Sequence, residues 1–324
     1  MPVKPILSII IVSYNVAPFI ENCLKSIFAD KNLDFNGDSK NSKTPAELII
    51  VDNHSSDASV SIIKNFQIKN CLKISNFKLK ISHSNQGFSQ ANNLGVKQAQ
   101  GNYLLFLNPD TVILHSSISQ SLDWLSSHPE ALGCTAQLLN TDKTIQPSGG
   151  FFPNLLNLFT WSTNLDDLPL TNDLIKPIHP HSPIFYTHPK FYLQDHSQDW
   201  LTGACILLRK NAFDQVGGFD QDYFMYGEEL ELCYRLKKVF PLKKFWYLIG
   251  PQITHLGGGS SVNRLNPLIN EYHGIIAFFK KHQPSWQLPL AKLLIKFNCL
   301  CHYLLYLIKK PETAKLYQQI FSQL

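Results

Sequence analysis

The chain has 324 residues, of which 44% are hydrophobic and 16% are charged, a balance typical of an ordered globular protein and unlike that of a disordered one. A chain of this length can bury one large core, or one core plus an appendage. The net charge of +5 is unevenly spread: 13 Lys and Arg stand against 2 Asp and Glu from Arg235 onward, and 16 against 22 before it. The basic C-terminal part predicts an anionic partner. Because no nucleic-acid-binding motif accompanies the charge, we do not expect that partner to be a nucleic acid.

Two features predict a cytoplasmic location. The apolar run near the N-terminus, in MPVKPILSIIIVSYN, is too short for a signal peptide and continues into what resembles a core strand. The seven cysteines, at positions 23, 71, 134, 205, 233, 299 and 301, are scattered and include no CxxC pair. They are typical of reduced core thiols and show no zinc-site spacing.

The N-terminal part alternates strand and helix patterns. Strands are predicted at 7–12, 48–51, weakly within 71–83, and at 103–107; helices are predicted at 18–28, from 57 to about 66, and at 88–98. Alternation at this spacing predicts an α/β fold with a mostly parallel, doubly wound sheet and flanking helices.

The later part is less regular. A strand is predicted at 133–139, and then 146–198, rich in Pro, His and aromatic residues, is interpreted as an irregular insertion that shapes a pocket or lid. Regular patterns resume with strands at 200–208 and 245–249, helices at 211–216 and 227–239, and helices to the end. We therefore predict a domain over 1–284 and a basic amphipathic helical tail over 285–324.

Two aspartates follow predicted strands of the same sheet. Asp110 comes after Tyr103–Leu107 and Asn108-Pro109, and because proline cannot donate to a central ladder, pairing should stop there. Asp52 follows the second strand in the same way. Ligands of open α/β sheets bind at the carboxyl ends of the strands, so one carboxylate is a candidate for a pyrimidine base and the other for a divalent cation. The alternatives are that Asp52 or a neighbouring serine caps the next helix, and that Asp110 forms a turn.

The helix near 227–239 begins with three carboxylates. By helical period, Glu229 lies on the inward face, Glu228 is intermediate, and Glu231 points away and forms a solvated ion pair with Arg235. An inward carboxylate in a first turn is tolerated by the helix dipole and suits a general base. The alternative is that all three carboxylates lie at the helix start without a catalytic role.

His255 precedes three glycines and two serines. Such a loop allows close backbone approach to phosphates, with the imidazole as a second metal ligand or a phosphate donor. The alternative is a structural histidine.

The segment 288–308 is apolar enough for a membrane span to be considered. Charged and polar residues interrupt it, and one central charge costs about 2.5–3.5 kcal/mol. Its helical wheel carries a stripe made by Lys292, Lys296, Cys299, Tyr303, Tyr306 and Lys310. The stripe suits either a helix in the plane of a membrane surface or an amphipathic helix packed on the domain.

Several ordered motifs together resemble a known family. They are Ser8-Ile-Ile-Ile-Val-Ser-Tyr-Asn15, Val51-Asp52-Asn53, the stretch 85–111, Trp200-Leu-Thr-Gly-Ala-Cys205, and the run from Val216-Gly-Gly-Phe-Asp220 through Phe224-Met-Tyr226 to Leu232-Cys233. In order and spacing the chain is similar to the family 2 glycosyltransferases, and within them to the rhamnosyltransferase-like branch. The similarity covers about residues 5–282 and is weakest in the insertion.

The resemblance implies a GT-A fold, a nucleotide-sugar donor (dTDP-rhamnose, or a UDP-sugar), Mg²⁺ or Mn²⁺, and inversion at the anomeric carbon. It implies that the acceptor is a cell-surface or lipid-linked glycan, met at the inner face of the plasma membrane. The site residues it implies fall into four groups. They are Ser13, Tyr14, Asp52, Asn85, Gly87, Asn92, Asp110, Trp200, Gly203 and Ala204 for the nucleotide-sugar; Asp110 and His255 for the metal; Glu229, with Glu228, for catalysis; and Phe224 and Tyr226 for the acceptor.

Two positions depart from the family pattern. Asn108 stands where the metal motif has its first carboxylate, so the metal would be held more weakly or by His255. Glu229 stands where the family usually has Asp, which moves the carboxylate outward by one methylene. Since a misplacement of about 1 Å can cost roughly a hundredfold in rate, these departures motivate an alternative: a catalytically silent nucleotide- or sugar-binding module.

Overall fold

A computed structural model describes residues 3–37, 43–70, 75–168, 171, 174–181, 185, 191–257, 265–308 and 310–324. Its strands are β1 Leu7–Ser13, β2 Leu33–Asp34, β3 Thr44–Asp52, β4 Phe77–Ile81, β5 Tyr103–Leu107, β6 Thr111–Ile113, β7 Ala131–Leu139, β8 His196–Gln198, β9 Cys205–Arg209 and β10 Lys244–His255. Its helices are α1 Ala17–Phe28, α2 Ser59–Lys69, α3 Gly87–Val96, α4 Ser117–Ser127, α5 Leu155–Ser162, α6 Lys210–Gln215, α7 Glu228–Val239, α8 Leu265–His282, α9 Gln287–Tyr306 and α10 Pro311–Gln323.

The strands form one mixed sheet in the order β2-β3-β1-β5-β9-β7-β10-β6, with β4 beside β3 and β8 beside β10. The N-terminal strands β1, β3, β4 and β5 pair in parallel, whereas β9 runs antiparallel to β5 and β7. The predicted mostly parallel α/β sheet is therefore confirmed. Because parallel neighbours end at the same edge, the carboxyl ends of β1, β3 and β5 lie side by side.

Both faces of the sheet are buried. Along β1, Ile9 and Ile11 belong to one apolar cluster, while Ile10 belongs to another. The first cluster is covered by α1 and α4, and the second by α6, α7 and the C-terminal helices. Burial on both faces explains why the strand has an unbroken apolar run instead of an alternating pattern.

Five elements were not predicted from the sequence: β2, β6, α4, α5 and β8. β6 and β8 are three residues each, too short to show a period, and α4 has a serine-rich sequence that weakens its apolar pattern. The six cysteines within the described part are all free thiols, and all but Cys301 are buried. For these six, the prediction of reduced core thiols is confirmed; Cys71 lies outside the described residues.

The C-terminal helices pack against the domain, and Ile295, Cys299 and Ile320 join the second apolar cluster. The lysine-tyrosine stripe predicted on α9 contacts α10: Lys292 Nζ donates to the backbone oxygen of Leu324 at 3.1 Å, and Tyr306 stacks on Tyr317. This stripe therefore faces protein, which is the packed alternative.

The opposite side of α9 is exposed and apolar. Large side chains recur there every three or four residues, at Trp286, Leu290, Leu293, Phe297, Leu300, Leu304 and Ile308. Within the described chain, α9 is also the one helix long and apolar enough to cross a membrane by length and composition. Since its other side is packed on the domain, α9 lies along the protein surface.

Candidate active site

The ends of β1 and β3 form one border of the site. Ser13 and Asp52 are register partners, and both are fully buried. The Asp52 carboxylate accepts hydrogen bonds from the Ser55 backbone N–H at 2.9 Å and from the Ser55 hydroxyl at 2.6 Å. The capping alternative is wrong for Asp52 and its neighbouring serines, because α2 begins after Ala58 and has no side-chain cap. Asp52 instead fixes the turn after β3, with its carboxylate at the sheet edge.

A hydrogen-bonded network joins this edge to the start of α3. The Asn53 amide donates to Asn85 Oδ1 at 2.8 Å and to the Gly87 carbonyl at 3.2 Å, and Asn85 in turn accepts from the Gly87 N–H. Gly87 has φ +81°, and a Cβ there would lie 2.5 Å from the Phe224 carbonyl oxygen. That position therefore requires glycine. The predicted residue Asn92 is buried inside α3, where it donates to the Phe88 carbonyl at 3.0 Å.

Asp110 and His255 meet at the other end of the edge, as the resemblance implied. His255 Nε2 lies 3.4 Å from Asp110 Oδ1 and 3.4 Å from the Asn108 amide nitrogen. His255 Nδ1 lies 2.6 Å from Gln146 Oε1, and Gln146 Nε2 donates to two oxygens, those of Asn140 and the His255 backbone. These two bonds orient the amide, so that its oxygen faces Nδ1 of the imidazole and Nε2 is left facing Asp110 and Asn108.

This arrangement fits a divalent cation that is shared with a ligand. Among the residues that the structure describes, no group of three or more His, Cys, Asp and Glu side chains could hold a metal alone. Mg²⁺ in nucleotide enzymes typically takes one or two protein ligands, and phosphate oxygens and water complete its shell. A ligating histidine usually has its other nitrogen fixed by an oxygen acceptor, the role that Gln146 has here. Asp110 and His255 therefore suit a metal that arrives with a diphosphate.

Glu229 stands at the start of α7, beside the sheet edge. Its Oε1 accepts from the Gly203 N–H at 3.3 Å, whereas its Oε2 has no hydrogen-bond partner among the described residues. Burial raises the pKa of Glu229, and the nearby Glu271 carboxylate raises it further. The preceding residues, Tyr226 and Gly227, both have positive φ. This turn aims the first carboxylates of the helix away from solvent.

Glu228 is more deeply buried than its intermediate prediction suggested. Its Oε2 also has no partner in the described part of the chain. Burial, and then the neighbouring Glu229 carboxylate, raise the pKa of Glu228 well above its ordinary value. Two adjacent buried carboxyls cannot both ionise cheaply, so ionisation of Glu229 favours the protonated form of Glu228.

The prediction for Glu231 was half right. Arg235 is its partner, with Nη2 and Oε2 2.7 Å apart, but the pair is not solvated, because the Glu231 side chain is only 1% exposed. His282, from α8, lies 3.1 Å from its other oxygen and covers it. His282 is distant in sequence, so no helical wheel of α7 could reveal this burial.

Beyond Glu229 lies a cavity of about 640 Å³. The insertion, the start of α7 and the three C-terminal helices enclose it. Trp200 and Tyr226 line it, as does Thr202, which precedes Gly203. Trp200 is fixed by a hydrogen bond from its Nε1 to the Ile178 carbonyl at 3.2 Å. The insertion therefore does shape a pocket, as predicted.

The remaining predicted site residues lie around this centre. Ala204 is buried, and its carbonyl accepts from the Asn108 N–H at 3.0 Å. Tyr14 is half-buried just after β1. Phe224 is 56% exposed and, among the described residues, is not part of the cavity lining.

Sequence reasoning missed Gln146 and the polar lining of the cavity. The lining comes from distant parts of the chain, including His179, Asp166, Glu271, Asn298 and His302. The unusual content of histidine and aromatic residues in the insertion was the available signal for some of them. For Gln146 and Asn298 we find no signal in the sequence.

The order of the strands and the polar edge at their carboxyl ends define a GT-A-type α/β protein, and structural comparison agrees. The mannosyltransferase PcManGT from Pyrobaculum calidifontis, solved with GDP-Man and Mn²⁺, matches with a TM-score of 0.52 at 13% identity, over 98% of this chain and 85% of that one. GalNAc-T7, solved with UDP, GalNAc and Mn²⁺, matches with a TM-score of 0.55 at 14% identity, over 89% of this chain and 51% of that one.

Sequence comparison defines the family. The model of Glycosyl transferase family 2 matches residues 8–217, more than half of the chain. The N-acetylglucosaminyl-diphospho-decaprenol L-rhamnosyltransferase of Mycobacterium tuberculosis is 24% identical over 300 residues, 88% of each chain. The rhamnosyltransferase WbbL of Escherichia coli is 30% identical over 164 residues, 48% of this chain and 56% of that protein. The chain belongs to glycosyltransferase family 2, whose members transfer a sugar from a nucleotide-sugar.

Proposed function

We propose that the protein is an inverting, metal-dependent transferase that moves rhamnose from a nucleotide-sugar to a hydroxyl of a lipid-linked glycan. The proposed donor is dTDP-rhamnose, and the alternative donor is a UDP-sugar. The observation that carries the proposal is the position of Glu229. This carboxylate lies between the polar strand edge, which suits the donor, and a partly open cavity, which suits an acceptor. The similarity to two rhamnosyltransferases, one of them named for a diphospho-decaprenol substrate, supports the choice of sugar and of acceptor.

The proposed reaction is a single displacement. Gly203 holds Glu229 through Oε1, which leaves Oε2 to accept the proton of the acceptor hydroxyl as the oxygen of that hydroxyl attacks the anomeric carbon. The bond from the anomeric carbon to the diphosphate oxygen breaks, and the nucleoside diphosphate leaves. The raised pKa of Glu229 makes it a stronger base than an exposed glutamate.

Asp110 and His255 would hold Mg²⁺ or Mn²⁺, and Gln146 would keep the His255 lone pair directed at the ion. Such an ion neutralises negative charge on a departing diphosphate. Ser13, Asp52 and the turn that Ser55 fixes would contact the nucleoside at the neighbouring strand ends.

The test is release of nucleoside diphosphate by the purified protein with Mn²⁺ across dTDP-rhamnose, UDP-glucose, UDP-galactose, UDP-N-acetylglucosamine and GDP-mannose. We expect turnover of dTDP-rhamnose above the others, and we expect Asp110→Ala to weaken Mn²⁺-dependent nucleotide binding. Preferred turnover of another donor would refute rhamnose. Nucleotide binding without turnover of any donor, with a lipid-linked acceptor present, would favour the silent binding module.

We also propose that the protein works at the cytoplasmic surface of an anionic membrane. The exposed apolar side of α9 runs for the whole helix, about 30 Å at 1.5 Å per residue, and such a patch on a monomer usually marks an interaction site. The segment from Arg235 onward, which includes α9, is strongly basic. A helix with an exposed apolar side in a basic segment suits the interface of an anionic bilayer.

Flotation with phosphatidylglycerol vesicles tests this location. Replacing Leu293 and Leu304 together with serine should reduce the bound fraction about tenfold or more, since each buried leucine contributes about 1.5–3 kcal/mol. The matched control is Leu242→Ser, which changes a 91% exposed leucine far from α9 in sequence. Unchanged flotation of the double variant would refute the proposed binding to a membrane surface. The proposal would also be refuted if the double variant lost a dimer, measured by light scattering, while its binding to vesicles was unchanged.

A further inference from the structure

The cavity beside Glu229 has features that select an acceptor, and this inference rests on the proposed function. We propose that the cavity binds the terminal sugar of the acceptor and that it accepts an uncharged sugar while excluding a phosphorylated one. Its volume of about 640 Å³ lies within the range of small-molecule sites. Because Glu229 is on its wall, a hydroxyl of a bound sugar can reach the base.

The charged side chains that line the cavity are predominantly acidic. Four carboxylates border the cavity, those of Asp166, Asp167, Glu229 and Glu271, and none of its described lining residues is Lys or Arg. His179 pairs with Glu271 at 3.2 Å, but burial lowers the pKa of this histidine, so it adds little positive charge at neutral pH. A phosphate group in the cavity would have no Lys or Arg side chain to pair with and would be repelled by the four carboxylates, which is unfavourable in a partly closed site.

Asp166 supplies a specific recognition group. It is only 5% exposed, and within the described chain no side chain donates a hydrogen bond to its carboxylate, although His181 is near enough to influence its pKa. The carboxylate accepts a hydrogen bond from its own backbone N–H and has capacity for further donors. Sugar hydroxyls are donors, so a bound sugar would satisfy this carboxylate, whereas a phosphate has only acceptor oxygens to offer.

Aromatic side chains supply the apolar surface that a sugar ring needs. Trp161 and Tyr272 lie against each other with ring centroids 5.2 Å apart, and His302 stacks on Tyr317 at 4.8 Å. All four line the cavity. A mostly apolar wall with a few placed polar groups is the usual composition of a small-molecule site. His302 lies on α9, whose outer side is the exposed apolar face, so lipid and diphosphate groups of an acceptor would remain outside the cavity.

The test compares transfer to soluble alkyl glycosides of neutral sugars with transfer to the same glycosides carrying a 6-phosphate, and to ribitol phosphate. We expect transfer to neutral acceptors only. Asp166→Asn, which keeps the shape of the side chain, should raise the acceptor KM about tenfold or more, with a much smaller effect on the donor KM. The matched control is Asp123→Asn, an exposed change on α4 that should alter neither KM.

A second variant tests the electrostatic argument without a risk to folding. Asp167 is exposed at the cavity border, and Asp167→Lys should raise the use of phosphorylated glycosides relative to neutral ones, by up to about fivefold. Preference of the wild type for a phosphorylated acceptor would overturn the inference, as would equal effects of Asp166→Asn on donor and acceptor KM.

Failure of the proposed function would give a different experimental result from failure of the sugar site. Saturation-transfer NMR with the neutral glycoside measures acceptor binding without any donor. Binding that Asp166→Asn weakens, in a protein that turns over no donor, would refute the transferase and keep the sugar site. Turnover of donor with no binding or transfer of a neutral glycoside would refute the sugar site and keep the transferase.

Discussion

The strand edge and the cavity, which meet at Glu229, differ in how their polar groups are satisfied. At the edge, Asp52, Asn53 and His255 each have hydrogen-bond partners within 3.0 Å, although the Ser13 hydroxyl has none among the described residues. On the cavity wall, Glu229 Oε2 has no partner among the described residues, and no side chain there donates to Asp166. The carboxylate and amide groups of the edge are therefore fixed by hydrogen bonds before any ligand arrives, whereas Glu229 presents an unsatisfied carboxylate oxygen at the cavity.

This difference matches two kinds of recognition. A preformed edge costs little to order on binding and suits a ligand part that stays constant across donors, the nucleoside diphosphate. An unsatisfied polar group in a partly closed site discriminates between ligands that satisfy it and ligands that do not. The cavity is therefore where selectivity for the variable partner, the acceptor, should be concentrated.

The largest expected effect comes from the residue between the two regions. Glu229→Gln should lower kcat by about 10²–10⁴-fold, because the amide cannot accept the acceptor proton, while nucleotide affinity measured by calorimetry should stay nearly unchanged. In the wild type, the acid limb of kcat/KM should lie above 4.5, the ordinary pKa of a glutamate, since burial raises the pKa of Glu229 and activity needs the ionised form. Full activity of the variant would refute the assignment of the base.

A second substitution acts on the edge through a group that touches no ligand. Gln146→Ala removes the partner of His255 Nδ1 and should weaken Mn²⁺ affinity about 10–100-fold, measured by titration of Mn²⁺ against nucleotide binding. Gln146→Glu keeps an oxygen acceptor and should restore most of the affinity. If Gln146→Ala changed the acceptor KM and not the Mn²⁺ titration, Gln146 would belong to the cavity instead.

The stability of two variants tests the hydrogen-bonded network of the edge. Asn53→Ala should lower the free energy of unfolding by about 2 kcal/mol, because it leaves buried groups of the edge network without partners. Chemical denaturation near pH 8 measures this effect. Asn70→Ala, which removes one hydrogen bond to the Phe66 carbonyl at the end of α2, is the control and should lower it by less.

The opposite change in stability is expected for Glu228, which precedes Glu229 at the start of α7. Glu228→Gln should raise the free energy of unfolding by about 1 kcal/mol near pH 8, since the raised pKa of Glu228 means that its ionisation at high pH opposes folding. Below pH 4.5 the carboxyl is protonated in the folded and unfolded states alike, so the gain should disappear. A gain that is constant from pH 4 to pH 8 would show that the carboxyl charge is not its cause.

The edge could be predicted from the sequence because its groups follow strands directly. Val51-Asp52 and the Pro109-Asp110 pair mark strand ends by local chemistry alone, and Glu229 follows from the period of one helix. The cavity could not be predicted, since Asp166, Glu271 and His302 belong to separate segments that only tertiary packing brings together. The wheel of α9 likewise showed its lysine-tyrosine stripe and its apolar side, but which of them contacts α10 depends on three-dimensional packing.

The wall of the cavity also sets an order of events during synthesis. Of the strands at the donor edge, β1, β3 and β5 lie in the first third of the chain and β10 ends at His255, whereas α9 and α10, which supply Asn298, His302 and Tyr317 to the wall, are translated last. A nascent chain folds from its N-terminal side as it leaves the ribosome. The donor edge can thus form while the wall is still untranslated, and selection of the acceptor begins only when the last helices dock.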